Sequence, residues 1–393
     1  MPASEPVERW LDDIRALADS IGPRGPTTDG ERRGHDYCEA ELQAAGLQPV
    51  REQFLSARSI FRPHLLGATL MLVAFVVYPL AGRTTAVAAF LLSAFAIVNE
   101  LLELGYRDNV FRRVLPKSPS QNVFAVVEPT EEALRDLVVV GHVDTQRTPL
   151  VFRSPSWVRA YAVFSLVVFV TFVAQMVLQG LGAAWQWPWV WLATLPSAVA
   201  AVALAAMCIE ADRSPFTAGA NDNASAVGLV LALARRYQAA PLRHTRVWAV
   251  CSGCEEAQHY GMADFLRRHA AQLRDPVVIP FELVGVAGPA YLTLEGIVVP
   301  FRADRQLVDL CERLSADHPQ WQAYPVRITG GNTEMADAIR AGISSISIVG
   351  VTKDLVGPYW HQREDTADKM NPEAMARTYD MVTTLVEALD PST

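Results

Sequence analysis

Residues 137–145 read Leu-Val-Val-Val-Gly-His-Val-Asp-Thr, an apolar run that ends in a histidine and an aspartate. A short Leu/Val run without polar alternation is typical of a strand buried on both faces of a parallel sheet. Polar side chains directly after such a strand lie at its carboxyl end, where open α/β sheets bind their ligands. This stretch therefore predicts both the class of fold and the position of a functional site.

The same combination of apolar runs and helical patterns recurs along the chain. Strands are predicted at 47–54, 122–127, 137–140, 246–251, 277–283 and 343–349, and helices at 31–45, 224–237 and 336–341. An N-terminal amphipathic helix carries Val7, Trp10, Leu11, Ile14 and Leu17 on one stripe. The alternation predicts an α/β fold, a mostly parallel mixed central sheet with helices on both faces.

A long apolar stretch interrupts this pattern. No charged residue occurs from 160 to 209, which is room for two membrane-spanning helices of about 20 residues each. Pro188 lies in its middle among Trp185, Trp187, Trp189 and Trp191, as expected of a turn at the lipid–water boundary. We expect a transmembrane helical hairpin at 157–210.

A second apolar stretch precedes it and is divided by Arg83. We expect a first transmembrane hairpin at 63–105, although buried core helices stay open as the alternative for this stretch. The remaining segments, 1–62, 106–156 and 211–393, then form one catalytic domain.

Charge and cysteine content predict the surroundings of the molecule. Because each insertion is a hairpin, the rest of the chain lies on one side of the membrane, and that side carries nearly all of the Arg and Lys residues near the membrane ends. The positive-inside bias makes that side cytoplasmic, with four transmembrane helices, and five cysteines, an odd number, fit a reducing compartment. A net charge of −8 argues against nucleic acid as a partner. The lipid bilayer is an expected partner, and a homo-oligomer is left open.

Five candidate metal ligands follow strand or turn signals in a fixed order. They are His142, Asp222, Glu256, Glu282 and His361. Two imidazoles and three carboxylates suit a pair of zinc-like cations, with one carboxylate left to bridge them. Two Zn²⁺ or similar divalent ions are therefore the expected cofactors, and the expected chemistry is hydrolysis.

Each of these residues also has an ordinary structural interpretation. Asp222 stands where a helix N-cap would stand, and a His near an Asp is often a surface pair. The adjacent carboxylates Glu255 and Glu256 would repel each other unless cations lie nearby, so one could bind metal while the other takes a proton from water. Asp144 could hold the second imidazole nitrogen of His142.

The remaining histidines and cysteines carry less weight. Cys251-Ser-Gly-Cys254 is compatible with a redox pair, but the chain has no second pair of this spacing. Five histidines that lack carboxylates nearby in the sequence are interpreted as surface residues: His35, His64, His244, His269 and His318.

These motifs together resemble the co-catalytic zinc aminopeptidase family, which includes bacterial leucyl aminopeptidases and glutamate carboxypeptidase II. The resemblance rests on Gly-His-Val-Asp at 141–144, the segment 219–225, the paired glutamates, Glu-Leu-Val-Gly at 282–285 and the final His361 with Asp365-Thr366. It covers most of the chain outside the hairpins. Glu282 stands where the family usually has Asp, and 330–334 departs from the usual Gly-Gly-x-Asp.

The resemblance implies a role for each residue. Asp222 would bridge, one metal would bind Asp222, Glu256 and His361, and the other His142, Asp222 and Glu282. Glu255 would be the general base and acid, and Asp144 and Asp365 would orient ligands. The implied function is aminopeptidase hydrolysis of a peptide or amide with a free amino end.

Other functions stay open on the same fold. Because the second hairpin separates the His142 loop from the Asp222 loop, the substrate could be a membrane-partitioned lipopeptide or N-acyl amino acid. Glutaminyl cyclisation with one zinc does without the first histidine, and His142 is present here. A catalytically silent receptor or scaffold would have lost ligands or the base.

Overall fold

The computed structural model describes residues 4–391, which form two compact units. Within these residues, the first consists of 4–58, 117–147 and 216–391, and the second of 59–116 and 148–215. The segments of the second unit extend 4 to 11 residues beyond each end of the predicted hairpins 63–105 and 157–210.

The first unit contains a ten-stranded mixed sheet. Its strands are β1 Val50–Ala57, β2 Lys117–Val127, β3 Arg135–His142, β4 Thr245–Ser252, β5 Val277–Glu282, β6 Ala290–Gly296, β7 Phe301–Arg302, β8 Tyr324–Thr329, β9 Ser344–Ser345 and β10 Ile348–Val349. The order is β1-β2-β4-β3-β5-β10-β6-β7, with β8 beside β6 and β9 beside β5. The central pairs β4/β3, β3/β5 and β5/β10 are parallel, whereas β1/β2, β2/β4, β10/β6 and β6/β7 are antiparallel.

Helices cover both faces of this sheet, as the sequence predicts. They are α1 Glu5–Arg15, α2 Asp29–Ala44, α9 Ser225–Ala239, α10 Tyr260–His269, α11 Arg305–Asp317, α12 Met335–Arg340 and α13 Pro372–Ala388. Because side chains alternate along β3, Leu137 and Val139 join the core that includes α1, α9 and α13, whereas Val138 and Val140 join the core that includes α10 and α12. All four side chains are completely buried, which explains the uninterrupted apolar run.

The predicted strand 343–349 is wrong in one respect, because two short strands stand in its place. Within β5, Pro280 has no N–H to donate to a neighbour. Ser345 and Ser347 donate their hydroxyls to the carbonyls of Val278 and Pro280 instead, at 2.8 and 3.1 Å. Side-chain bonds therefore replace part of the regular ladder with β5 at the break between β9 and β10.

The second unit is helical. Its helices are α3 Phe61–Val77, α4 Gly82–Leu104, α5 Val110–Val114, α6 Pro155–Trp185, α7 Val190–Ala193 and α8 Leu195–Arg213. By length and composition, α4, α6 and α8 can cross a membrane, with 23, 31 and 19 residues, whereas α3 has 17. The turn predicted around Pro188 lies between α6 and α7, and Trp185, Trp187 and Trp189 stack there in sequence.

Small and polar side chains pack the interior of this helical unit. Ala68, Ala96 and Ala201 are buried at the helix contacts. Ser93 donates its hydroxyl to the side-chain carbonyl of Gln179 at 2.7 Å, and Gln175 donates to the backbone carbonyl of Met71. Close approach at small residues and interhelical hydrogen bonds are the usual means by which helices associate in a membrane.

Candidate metal centre

The site lies at the carboxyl ends of the central parallel strands. His142 ends β3, Glu255 and Glu256 follow β4, and Glu282 ends β5. Asp222 lies in the turn that leads into α9, and His361 lies in the loop between β10 and α13. The five predicted ligands therefore converge although they are spread over more than half of the chain.

The donor atoms form two overlapping groups around Asp222. Its Oδ1 is 3.5 Å from Nε2 of His142, which is also 3.5 Å from Oε1 of Glu282. Its Oδ2 is 3.4 Å from Nε2 of His361, which is 3.4 Å from Oε1 of Glu256. Each oxygen of Asp222 thus faces a different imidazole, as a bridging carboxylate must.

These separations match the geometry of zinc. Two donors at about 2.0–2.2 Å from one tetrahedral ion lie about 3.3–3.6 Å apart. The donor atoms of the groups His142/Asp222/Glu282 and Asp222/Glu256/His361 lie within 4.8 Å of one another. Oδ2 of Asp222 and Oε1 of Glu256 are buried and have no hydrogen-bond partner among residues 4–391. Because a buried carboxylate oxygen without a partner is costly, these residues fit a pair of divalent cations.

The charge balance of the cluster points the same way. Burial raises the pKa of Asp222, and Glu256 and Glu282 raise it further. Burial also raises the pKa of Glu282, although His142 opposes this. Burial lowers the pKa of His142, but Glu255 and Glu282 outweigh it and hold that pKa well above its usual range. The side chains alone therefore concentrate negative charge, which bound cations would neutralise.

In Glu256 and Glu282, the carboxylate oxygen that does not face an imidazole is held by a carboxamide. Nδ2 of Asn223 donates to Oε2 of Glu282 at 3.1 Å and to the carbonyl of Phe281 at 3.0 Å. Nε2 of Gln146 donates to Oε2 of Glu256 at 2.8 Å. One oxygen of each glutamate is fixed and the other is directed at an imidazole.

The two aspartates predicted to orient ligands act on the backbone. The carboxylate of Asp144 accepts the N–H groups of Glu255 and Glu256, both at 3.0 Å. Asp365 accepts the N–H groups of Asn221 and Asp222, at 2.7 and 3.0 Å.

The expected contact of Asp144 with His142 requires a correction. Nδ1 of His142 lies 3.0 Å from the main-chain carbonyl of Asp144, whereas the carboxylate is 3.6 Å away, too far for a hydrogen bond. The carboxylate is turned instead toward the paired glutamates.

The turn at 219–224 holds Asp222 by backbone and side-chain contacts. Asn221 accepts the N–H of Gly285 at 3.0 Å and donates to the carbonyl of Pro358 at 2.9 Å. Helix α9 begins at Ser225 and no side chain caps it, so Asp222 is not the N-cap that its position in the sequence allowed. The Asp222–Asn223 peptide bond is cis.

Arg24 and His259 are site residues that the sequence analysis missed. The completely buried Arg24 donates to the carbonyls of Val143 and Gly219, at 2.8 and 2.9 Å, and so ties the segment after β3 to the Asp222 turn. Burial lowers the pKa of Arg24 to about 10. No sequence signal marks Arg24, whose partners are remote in the chain, or His259, which lies four residues after Glu255 but also contacts the remote Asp337.

Glu255, the predicted base, is in place beside the ligands. Its Oε2 is 3.7 Å from Nε2 of His142, and its Oε1 is 2.9 Å from Nε2 of His259. Burial raises the pKa of Glu255, but His259 and His142 outweigh it and hold that pKa at about 2. Glu255 is therefore ionised and able to accept a proton.

The other cysteine and histidine interpretations have mixed outcomes. Cys251 and Cys254 are free and buried, and burial raises the pKa of the Cys254 thiol well above its usual value. The interpretation of His35 and His244 as surface residues is wrong, since both are buried. Burial lowers the pKa of His35 to about 4.

Comparison with known proteins agrees with this geometry. Residues 204–386 match the model of Peptidase family M28, and no curated protein sequence matches the chain.

Solved structures share the fold. The zinc aminopeptidase BSAP from Bacillus subtilis superposes with a TM-score of 0.58 at 14% identity, over 99% of this chain and 96% of that one. A leucine aminopeptidase precursor from Bacteroides thetaiotaomicron gives 0.55 at 13% identity, over 97% and 96%. Glutaminyl cyclase from Tannerella forsythia gives 0.54 at 13% identity, over 97% and 98%. These structures show that the chain shares the fold of zinc aminopeptidases, and the same fold also occurs in a cyclase.

Proposed function

We propose that this chain, whose residues 204–386 match Peptidase family M28, is a membrane-anchored zinc aminopeptidase. The observation that carries the proposal is the arrangement around Asp222, whose two oxygens lie 3.5 and 3.4 Å from different imidazoles. Such an arrangement supports two bound cations. When bound, two zinc-like ions lower the pKa of an attacking water and polarise the scissile carbonyl.

Glu255 carries out the proton transfers. Its Oε2 faces the ligand cluster, whereas Oε1 is held by His259. Oε2 accepts a proton from the attacking water, the water oxygen bonds to the carbonyl carbon, and the C–N bond breaks as Oε2 returns the proton to the leaving nitrogen. The products are an amino acid and a shortened peptide.

Replacing Glu255 with Gln tests this assignment. We expect hydrolysis of an aminoacyl reporter to fall by at least about 100-fold, because general acid–base catalysis contributes about that much or more. Zinc content should be unchanged, since the metal ligands remain. The matched control is Glu364→Gln, which removes an exposed carboxylate near His361. A variant that keeps the parent turnover number would show that Glu255 is not the base.

The choice of substrate distinguishes aminopeptidase activity from glutaminyl cyclisation. A peptide with N-terminal glutamine distinguishes hydrolysis, which releases glutamine, from cyclisation, which releases ammonia and leaves the peptide bond intact. The presence of His142 beside Asp222 and Glu282 favours hydrolysis.

Comparing soluble aminoacyl reporters with acylated ones tests the second substrate class, membrane-partitioned amides. The apolar helices inserted between ligand segments are what favour it. A protein that binds zinc but converts none of these substrates would instead be a silent receptor.

A further inference from the structure

Glu255 is held differently from the other glutamates of the cluster. Oε2 of Glu256 and Oε2 of Glu282 are held by the neutral carboxamides of Gln146 and Asn223. Oε1 of Glu255 instead lies 2.9 Å from Nε2 of His259. The carboxylate assigned to proton transfer is thus the one held by an imidazole.

The imidazole of His259 is itself held from behind. Its Nδ1 lies 2.6 Å from Oδ2 of Asp337, and both side chains are buried. An imidazole between two carboxylate oxygens at these distances uses a ring nitrogen as donor on each side. Glu255, His259 and Asp337 therefore form one continuous line of polar contacts.

The segment that carries Asp337 is fixed by other buried carboxylates. Glu295 accepts both the N–H and the hydroxyl of Thr333 at 2.9 Å. Glu334 accepts the hydroxyl of Ser252 at 2.6 Å, which ties the start of α12 to the end of β4. The position of Asp337 relative to the glutamate loop is set by these contacts.

Building on the proposed hydrolytic function, we propose that His259 and Asp337 are positioning residues for Glu255. By holding Oε1, they direct Oε2 toward the attacking water, so that the same oxygen accepts the proton and passes it to the leaving nitrogen. A carboxylate with neither oxygen hydrogen-bonded would rotate and present either oxygen to the water. The pair thus acts through Glu255 and does not touch the substrate.

Three variants of the full-length protein test this. Asp337→Asn keeps the size of the side chain, His259→Leu removes the donor, and His259→Gln keeps an amide donor in place of the imidazole. Residue 259 has a left-handed backbone, with φ 57°, so both replacements there carry the same backbone cost. A difference in activity between His259→Leu and His259→Gln therefore measures the effect of the hydrogen-bond donor. The control is His269→Leu, because His269 belongs to the same part of the chain and pairs with Glu52 at 3.0 Å, away from the ligands.

We expect the turnover number on an aminoacyl reporter to fall about 10- to 100-fold in Asp337→Asn and His259→Leu. The Michaelis constant should stay within about twofold, and zinc content and melting temperature should remain those of the control. His259→Gln should recover part of the loss. If the pair were merely structural, the variants would lose stability or zinc content, and the turnover number would not fall at an unchanged Michaelis constant.

A second readout does not depend on activity. In zinc-free protein with ¹⁵N-labelled histidine, a hydrogen-bonded imidazole N–H resonance should be present, and it should be lost in His259→Gln and shifted in Asp337→Asn. If the parent hydrolyses the reporter and the variants match it in turnover, or lose activity only in proportion to zinc, the inference is wrong and the proposed function stands. If the parent cleaves no substrate, the proposed function fails and the inference with it.

Discussion

The chemistry of this site is decided by single oxygen atoms. In Glu256 and Glu282 one carboxylate oxygen is fixed by a side-chain amide and the other faces an imidazole. Both oxygens of Asp222, in contrast, face imidazoles. Fixing the second oxygen lowers the entropy that a ligand loses when it binds a cation. The residues that hold the ligands are therefore as informative as the ligands.

Replacing Asn223 with Ala should weaken metal binding. The side chain of Asn223 holds Glu282, and its loss should lower zinc affinity about 10- to 100-fold, as is usual when a partner of a metal ligand is removed. Competition with a chromophoric chelator measures this. Asn371→Ala is the control, since Asn371 caps α13 and its loss should cost about 1 kcal/mol of stability with unchanged zinc affinity. Equal affinities in both variants would contradict the role of Asn223.

Glu295 gives a prediction on pH. Burial raises its pKa to about 8 from 4.5, although Thr333 donates to it. Between these values the unfolded chain has released the proton and the folded chain keeps it, so stability falls as pH rises, by at most about 1.4 kcal/mol per unit. Glu295→Gln removes this loss. In zinc-free protein, the melting temperature of the variant should rise relative to that of the parent between pH 5 and pH 8. A difference in melting temperature that does not change with pH would contradict the raised pKa of Glu295.

At this scale the sequence predicted the side chains that converge around Asp222 but not the residues that hold them. His142, Asp222 and Glu255 follow strand or turn signals, and strand ends meet at one edge of a sheet. His259 and Gln146 carry no such signal, because their contacts with Glu255 and Glu256 depend on how the loops around them fold. His64 shows the same effect, since it meets Glu100 at 2.7 Å from a different helix.

Among the elements, the turn at 219–224 matters most because it carries the bridging ligand. Gly219 has φ 63°, and a Cβ there would lie 2.2 Å from Cγ2 of Thr145 and 2.4 Å from the carbonyl oxygen of Asp222. Glycine is therefore required both for the backbone conformation and for the space.

Gly219→Ala should lower zinc content and stability together. The matched control is Gly46→Ala, where φ is 83° and the nearest atom to a Cβ, Nε2 of Gln238, is 3.9 Å away. Both should lose about 1 kcal/mol from the left-handed conformation, and only Gly219→Ala should also lose zinc. Elemental analysis and thermal unfolding of the two variants measure this. Full zinc content in Gly219→Ala would mean that the turn tolerates displacement.

Elements with a plain apolar run were predicted from the sequence, whereas the amphipathic helices α11 and α13 and several short strands were not. The predicted strand 137–140 lies within β3, and the predicted helix 224–237 corresponds to α9, because burial on several sides leaves a plain apolar pattern. No elements were predicted for 290–329, where β6 alternates less clearly and β7 has two residues. Side-chain hydrogen bonds from Ser345 and Ser347 divide the last strand, and no periodicity reveals such bonds.

On the scale of the whole molecule, an enzyme-like α/β unit is interrupted twice by helical segments. Three of those helices are long and apolar enough to cross a membrane, and α3, with 17 residues, is at the lower limit of about 17–25. Four spans and a cytoplasmic catalytic unit therefore remain our proposal. The outward-facing side chains of α6 agree with it, since Val163 and Leu166 are 64% and 63% exposed in the isolated chain.

The membrane proposal predicts that the protein stays with the membrane pellet after alkaline carbonate extraction and needs detergent for release. Replacing Leu166 and Val170, which face outward on α6, with Asp should reduce insertion, because a carboxylate in the hydrocarbon region costs about 2.5–3.5 kcal/mol by insertion scales. The control is Glu128→Asp, at an exposed residue outside these helices, which should leave insertion unchanged. Release of the parent by carbonate would contradict the proposal.

We propose that five side chains from distant parts of the chain hold two divalent cations around Asp222. Anomalous diffraction at the zinc edge, from crystals of the zinc-loaded full-length protein, tests it most directly. We predict two peaks about 3.5–4 Å apart, one against His142 and Glu282 and the other against His361 and Glu256. A single peak, or peaks away from Asp222, would contradict it.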